Sequence, residues 1–225
     1  MKTRTIIVKG KPFSYEDEAL DISYANIGAI TEEQARGLLH KTKELFDVIG
    51  LDFYLSFGTL LGAVRDKTLI NGDEDVDVFI TDEQKLYDNL QYLSDHGLKL
   101  CRMGKRSLYS FRSGDKSFID VYILSEIRNS FWSSSCYRLN RKYVPKNLFS
   151  GFEDIEFLDV KCKCPKNPEK VLEFWYGSTW NTPVRGHNFR CEVPSAYYYH
   201  SCIYHIKQVV KFLIGWKYWK EYVKP

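Results

Sequence analysis

Apolar positions recur along the chain at helical and then at strand spacing, and their order predicts a fold before any chemistry is considered. Leu38, Leu39, Leu45, Phe46 and Ile49 fall on one helical face, and Gly50 is a stop. Thr31, with Gln34 three residues on, is a capping-box pair that places the helix start. Residues 53–57 read as a strand, Gly58-Thr59 as the turn that ends it, and residues 60–65 as one or two helical turns. A second strand over 76–80 leads to a helix capped by Thr81 or Asp82, which runs through Leu86, Leu90 and Leu93 to Gly97. Residues 98–103, 108–112 and 118–124 form a strand meander with turns at Gly104 and Ser113-Gly114.

The pattern is weaker at both ends. Residues 1–30 are irregular and predict a short strand and a wrapping arm. Beyond 126 the chain turns polar and aromatic, with weak strands near 142–149 and 152–160. A short helix starts at Pro168-Glu169 and stops at Gly177. Residues 195–222 read as one aromatic-rich helix, with Gly215 as a weak point. The expected class is α+β (mixed α/β): a mixed sheet with flanking helices and a C-terminal helical segment. The expected domains are an arm over 1–30, a main α+β domain over 31–185, and the aromatic-rich helix within 186–225.

Composition narrows the class. With 225 residues the chain can bury a real core. The 32 Lys+Arg against 29 Asp+Glu argue against an extended nucleic-acid groove, which needs a strongly basic face. The N-terminal apolar run is only Ile6 to Val8, too short for a signal peptide, and no stretch approaches the roughly 20 apolar residues of a membrane span. A cytoplasmic protein is expected. Six cysteines in such a chain do not make a disulfide framework. Cys162-Lys-Cys164, with His187 and Cys191, lacks standard zinc spacing, so reduced, packed thiols are the expectation.

The chemistry centres on carboxylates. Residues i and i+2 of a strand share a side, so Asp75 and Asp77 present two carboxylates together while Val76 and Val78 face the opposite layer. Asp120 lies in the middle of the apolar run Phe118-Ile119-Asp120-Val121-Tyr122-Ile123-Leu124, where an acid is costly unless it is paired or binds a cation. If the two strands are neighbours, the three acids form one cluster suited to magnesium, with manganese as a substitute. Asp120 then ligates the metal or takes a proton from an attacking hydroxyl. The bland alternative is a solvated acidic loop over Asp73-Glu74-Asp75. Upstream, Gly58-Thr59 opens a helix whose N-terminus suits a phosphate, and Arg65 and Lys67 follow as cations for the same group or for the acids.

Strand, Gly-Thr turn, helix and D-x-D strand, followed by a later acid, resembles the plan of the nucleotidyltransferase superfamily. More narrowly, Phe57-Gly58-Thr59-Leu60-Leu61-Gly62-Ala63-Val64-Arg65 followed by Asp73-Glu74-Asp75-Val76-Asp77 resembles the LicD family of phosphocholine transferases and fukutin-like proteins. Phe118-Ile119-Asp120-Val121 fits its later acidic strand. Tyr176-Gly177, Trp180 and Pro183 resemble its closing segment. The chain departs from the family where Gly72-Asp73-Glu74-Asp75 replaces Trp-Asp-Asp-Asp and Asp66-Lys67-Thr68 replaces His-Lys-Gly.

The resemblance implies a CDP-linked donor and transfer of phosphocholine, ribitol phosphate or glycerol phosphate to a hydroxyl of a cell-surface glycan or glycolipid. CMP is then the leaving group. An ordinary nucleotidyltransferase, adding a nucleoside monophosphate to a small molecule, RNA or protein with release of pyrophosphate, uses the same metal site. An inactive nucleotide-binding module is the alternative of another class. In the tail, Tyr197, Tyr198, Tyr199, Tyr204, Phe212, Trp216, Tyr218 and Trp219 alternate with basic residues. They suit a core helix first, and a peripheral contact with a membrane carrying the acceptor second.

Overall fold

The first helix, α1 (Glu32–Val48), forms where the sequence places it. Its capping box is complete: the Thr31 hydroxyl accepts the Gln34 N–H at 3.2 Å, and the Gln34 side chain accepts the Thr31 N–H at 2.9 Å. Leu38, Leu39, Leu45 and Phe46 are buried on one face. The helix ends at Gly50, whose φ of 67° lets the Leu51 N–H reach back to the Phe46 carbonyl at 2.8 Å. The structure is a computed structural model that describes residues 2–18, 28–104, 108–114, 117–127, 136–140, 142–183 and 206. Most of the aromatic-rich tail, with His187 and Cys191, lies outside the described residues.

Within the N-terminal segment, residues 2–17 form a hairpin. Strands β1 (Lys2–Val8) and β2 (Lys11–Asp17) pair antiparallel around Lys9 and Gly10, both at positive φ. Lysine is an uncommon choice in that turn, so its sequence does not announce it. Phe13, Tyr15 and Asp17 alternate inward on β2, and the hairpin lies along the later strand Lys99–Gly104.

Beyond the hairpin the chain forms a nine-stranded mixed sheet. It contains β3 (Tyr54–Leu55), β4 (Val76–Ile80), β5 (Lys99–Gly104), β6 (Leu108–Arg112), β7 (Phe118–Glu126), β8 (Cys136–Leu139), β9 (Lys142–Pro145), β10 (Phe152–Phe157) and β11 (Val160–Pro165). Its order is β10-β11-β3-β4-β7-β6-β5, with β8 pairing β7 and β9. The β4–β7 and β11–β3 pairs are parallel and the remaining pairs antiparallel. Helix α1 packs against β4 and β11. Every residue of β4 is buried, as expected of a strand covered on both faces.

Local departures from expectation have local causes. The strand expected over 53–57 shrinks to two residues because Phe57, at φ 39°, turns the chain into α2 (Phe57–Leu61) and a π-helical turn over Gly62–Asp66. The helix expected from 82 to 97 is two, α3 (Glu83–Asp88) and α4 (Leu90–Asp95), broken at Asn89, whose side-chain amide donates to the Lys85 carbonyl. The weak strand near 152–160 is a hairpin turning at Leu158 and Asp159, again both at positive φ. Cys162 and Cys164 are buried free thiols on β11, and burial pushes both up to about 12, which suits packing rather than reactivity.

Helix α5 (Pro168–Tyr176) follows β11, and the chain divides at its middle into compact units Met1–Leu172 and Glu173–Pro225. In the second unit, Gly177 stops α5 at φ 85° and the turn beyond is closed by the Trp180 N–H on the Gly177 carbonyl. Among the described residues, no helix is long and apolar enough to cross a membrane.

Candidate metal centre

The parallel register of β4 and β7 sets Asp77 directly beside Asp120, so both carboxylates leave the sheet on the same side. Both are nearly sealed from solvent, at 9% and 3% exposure. Asp75, two residues earlier and just ahead of the strand, is half-buried on that side. One oxygen from each of the three acids lies within 4.8 Å of the others. Three hard oxygen donors at that spacing can hold a divalent cation of the magnesium, manganese or calcium kind.

Electrostatics give the same fit. Burial raises the Asp75 carboxyl well above the usual range, and the charges of Asp77, Asp120 and Asp73 push it further. Asp77 is raised for the same reasons, burial first, then Asp120 and Asp73. A hydrogen bond from the Tyr122 hydroxyl and another from the Gly58 N–H only partly offset this. Asp120 is raised by burial against opposing interactions with Arg102, Ser110 and Tyr122. A divalent ion relieves this crowding of buried negative charge.

The structure gives Gly58 and Thr59 more internal positions than the sequence implies. Gly58 lies inside α2, and the tight turn is at Phe57. A Cβ on Gly58 would fall 2.8 Å from Asp73 Oδ2, so glycine here admits the acidic loop. Thr59 is buried, and its hydroxyl accepts the Asp77 N–H at 2.8 Å. The pair therefore fixes the start of β4. Arg65 forks onto Asp66, with Nε 2.8 Å from Oδ1 and Nη2 2.7 Å from Oδ2. Lys67 ends the π turn in the left-handed region, at φ 59°, and is exposed.

A cation that sequence reasoning missed sits on the third acid. Arg102 Nη2 lies 2.8 Å from Asp120 Oδ1 and 2.6 Å from Oδ2, while its Nε donates to the Ser110 hydroxyl at 2.8 Å. Ser110 in turn donates to Asp120 Oδ1. The Tyr122 hydroxyl stands 3.4 Å from Oδ2, and the Phe57 ring meets the Tyr122 ring edge-on at 4.9 Å. Ser110 carried a readable signal, since it is a polar residue inside an apolar strand, the pattern that exposed Asp120. Arg102 carried none.

Comparison with known proteins places this geometry in context. A family model described as LicD/FKTN/FKRP, nucleotidyltransferase domain, matches residues 50–167, which run from before β3 to just past β11. Ribitol-5-phosphate transferase FKTN of Homo sapiens is 30% identical over 169 residues, covering 72% of this chain and 36% of that protein. The Mus musculus protein of the same name is 28% identical over 173 residues, covering 74% of this chain and 37% of that protein. The chain thus spans about a third of the length of the curated relatives it matches. Among solved structures, lincomycin-bound lincosamide antibiotic adenylyltransferase LnuA aligns with a TM-score of 0.43 at 17% identity, over 64% of this chain and 85% of that one. The antibiotic-resistance factor ANT(2'')-Ia aligns with a TM-score of 0.47 at 13% identity, over 72% of this chain and 80% of that one.

Proposed function

The chain belongs to the LicD/FKTN/FKRP nucleotidyltransferase-domain family, and from that premise we propose that it transfers a phospho-alcohol group from a CDP-linked donor to a glycan or glycolipid hydroxyl, using magnesium. The observation that carries the reading is the cluster of Asp75, Asp77 and Asp120, whose donor oxygens converge within 4.8 Å. The name of the human and mouse relatives makes ribitol phosphate the first donor group to test.

Asp75, Asp77 and Asp120 are the residues that would hold the metal. When bound, magnesium supplies charge neutralisation and alignment of the reacting oxygens. In the transfer, the acceptor oxygen forms a bond to the phosphorus nearer the alcohol, and the bond from that phosphorus to CMP breaks with its electron pair leaving on CMP. The acceptor's proton would be taken by an oxygen of Asp120 that is not engaged with the metal. Arg65 and Lys67 supply positive charge for the donor phosphates. Gly58 and Thr59 act from within, by holding the Asp77 carboxylate and the Asp77 N–H in place.

Incubation with CDP-ribitol, CDP-choline, CDP-glycerol and the nucleoside triphosphates, with magnesium and with EDTA, tests the reading. CMP release that EDTA abolishes is expected. Pyrophosphate release from a triphosphate would indicate nucleotidyl transfer instead, and no turnover at all would indicate a binding module. Asp75→Asn should lose turnover while keeping the wild-type circular dichroism spectrum, and an active variant would sink the metal assignment.

A further inference from the structure

Arg102 reaches the acidic cluster because β5 is irregular at one residue. Leu100 faces Phe111 and Arg102 faces Ser110, so β5 carries one extra residue, Cys101, between consecutive positions of β6. In unbroken register Cys101 would face Ser110, and the Arg102 side chain would leave from the other side of the sheet. The bulge instead brings Arg102 into a row across four strands: Arg102, Ser110, Asp120 and Asp77. The extra residue is fastened at both ends. Cys101 Sγ donates to the Ser110 carbonyl at 3.2 Å, and the Cys101 carbonyl accepts the Glu18 N–H at 2.7 Å. A bulge of this kind re-aims a side chain.

Most acceptor sites of Asp120 are taken within the chain. A carboxylate offers about four lone-pair sites. Arg102 addresses both oxygens, Ser110 addresses Oδ1, and the Tyr122 hydroxyl, whose one proton is shared with Asp77, faces Oδ2. A cation arriving at Asp75 and Asp77 therefore meets a third carboxylate that already has a positive partner. Arg102 is 18% exposed against 4% for Asp120, so it stands on the open side of the pair.

We propose that Arg102 is a place-holding cation, which neutralises Asp120 in the metal-free protein and must give up at least one of its oxygens for Asp120 to join a divalent metal. The inference rests on the metal reading above and adds a consequence to it. Arg102 keeps the acidic row folded without metal, and by competing for Asp120 it weakens metal binding. It is a positioning residue that acts through Asp120.

Calorimetric titration of wild type and Arg102→Met with manganese chloride, beside thermal unfolding in EDTA, tests this. Relinquishing one charge-assisted hydrogen bond corresponds to about tenfold in affinity, so R102M is expected to bind manganese about tenfold more tightly. Its metal-free Tm should fall by about 10 °C, because Asp120 is left buried without its partner. A purely structural role would lower the Tm without tightening the metal, so equal or weaker binding by R102M overturns the proposal. Arg102→Lys keeps the charge but cannot span both oxygens and Ser110 together, and it should tighten binding by about threefold. It carries the test if R102M does not fold, and equal or weaker binding by R102K then overturns the proposal. Wild-type protein that binds neither manganese nor magnesium would instead overturn the metal reading itself.

Discussion

Replacing Asp77 by asparagine should stabilise the metal-free protein while abolishing the proposed chemistry. Donor oxygens of Asp75 and Asp77 lie within 4.8 Å. Two unit charges at that separation repel by about 3.5 kcal/mol at an effective dielectric of about 20. Asp120 adds less, because Arg102 lies 2.6 Å from it. Against the relief stands a lost contact. Asp77 accepts from both the Gly58 N–H and the Tyr122 hydroxyl, whereas asparagine keeps one acceptor oxygen. One charge-assisted hydrogen bond is worth about 1.5 kcal/mol, so the balance favours asparagine by about 2 kcal/mol. For a domain of this size that is a rise of about 4–8 °C in Tm. Thermal denaturation in EDTA near neutral pH, wild type against D77N, reads it directly. Added magnesium should then raise the wild-type Tm and leave D77N almost unmoved. A D77N protein less stable than wild type in EDTA would refute the reasoning, since the acids would not be in mutual repulsion.

The same crowding gives the metal-free protein a pH dependence of definite sign. Asp75 and Asp77 titrate above their ordinary value of 3.8, so between that pH and their raised values the native state holds more protons than the unfolded one. Stability in EDTA should therefore fall as pH rises from about 4 toward neutrality, and more steeply for wild type than for D77N in urea denaturation; parallel profiles would contradict this. Gly62→Ala sets a Cβ 2.5 Å from the Thr68 carbonyl oxygen and 3.3 Å from the Ile70 nitrogen, so backbone must move. A loss of about 2–3 kcal/mol is expected by urea denaturation, and an unchanged midpoint would show that the turn yields freely. Thr59→Val keeps the shape but strips the buried Asp77 N–H of its acceptor, which should cost about 1–3 kcal/mol. Thr59→Ser should recover most of that loss if the hydroxyl is the cause.

The elements nearest the acids were readable because several signals coincide there. Thr31 and Gln34 mark one helix start unambiguously, and an acid amid Phe118, Ile119, Val121 and Tyr122 is hard to explain without a partner on the next strand. Other features left no trace in the alternation of side chains. The two hairpins turn on Lys9-Gly10 and Leu158-Asp159, pairs in which lysine and leucine take a backbone conformation they seldom adopt. The β5 bulge is a defect of pairing rather than of composition, so Arg102 looks like an outward-facing residue until β6 is laid beside it. Glycine at 58 suits a close approach to the backbone, and in the structure Asp73 makes one. A glycine reveals that something approaches, and only the fold says what.

The brevity of β3 has a further consequence. The acid-bearing strand β4 is laddered to β7 over five register pairs but to β3 over two, and β3 meets β11 through the single pair of Tyr54 and Lys163. Ring contacts supplement this thin seam: Tyr54 lies on Phe152 at 4.0 Å and on Phe79 at 5.0 Å, and Phe79 meets Phe149 at 5.7 Å. Packed rings resist separation without dictating register, so the β10–β11 hairpin can open as a cooperative unit of its own. Amide protons of residues 152–164 should therefore exchange with deuterium ahead of those of β4 and β7, with the acidic row intact throughout.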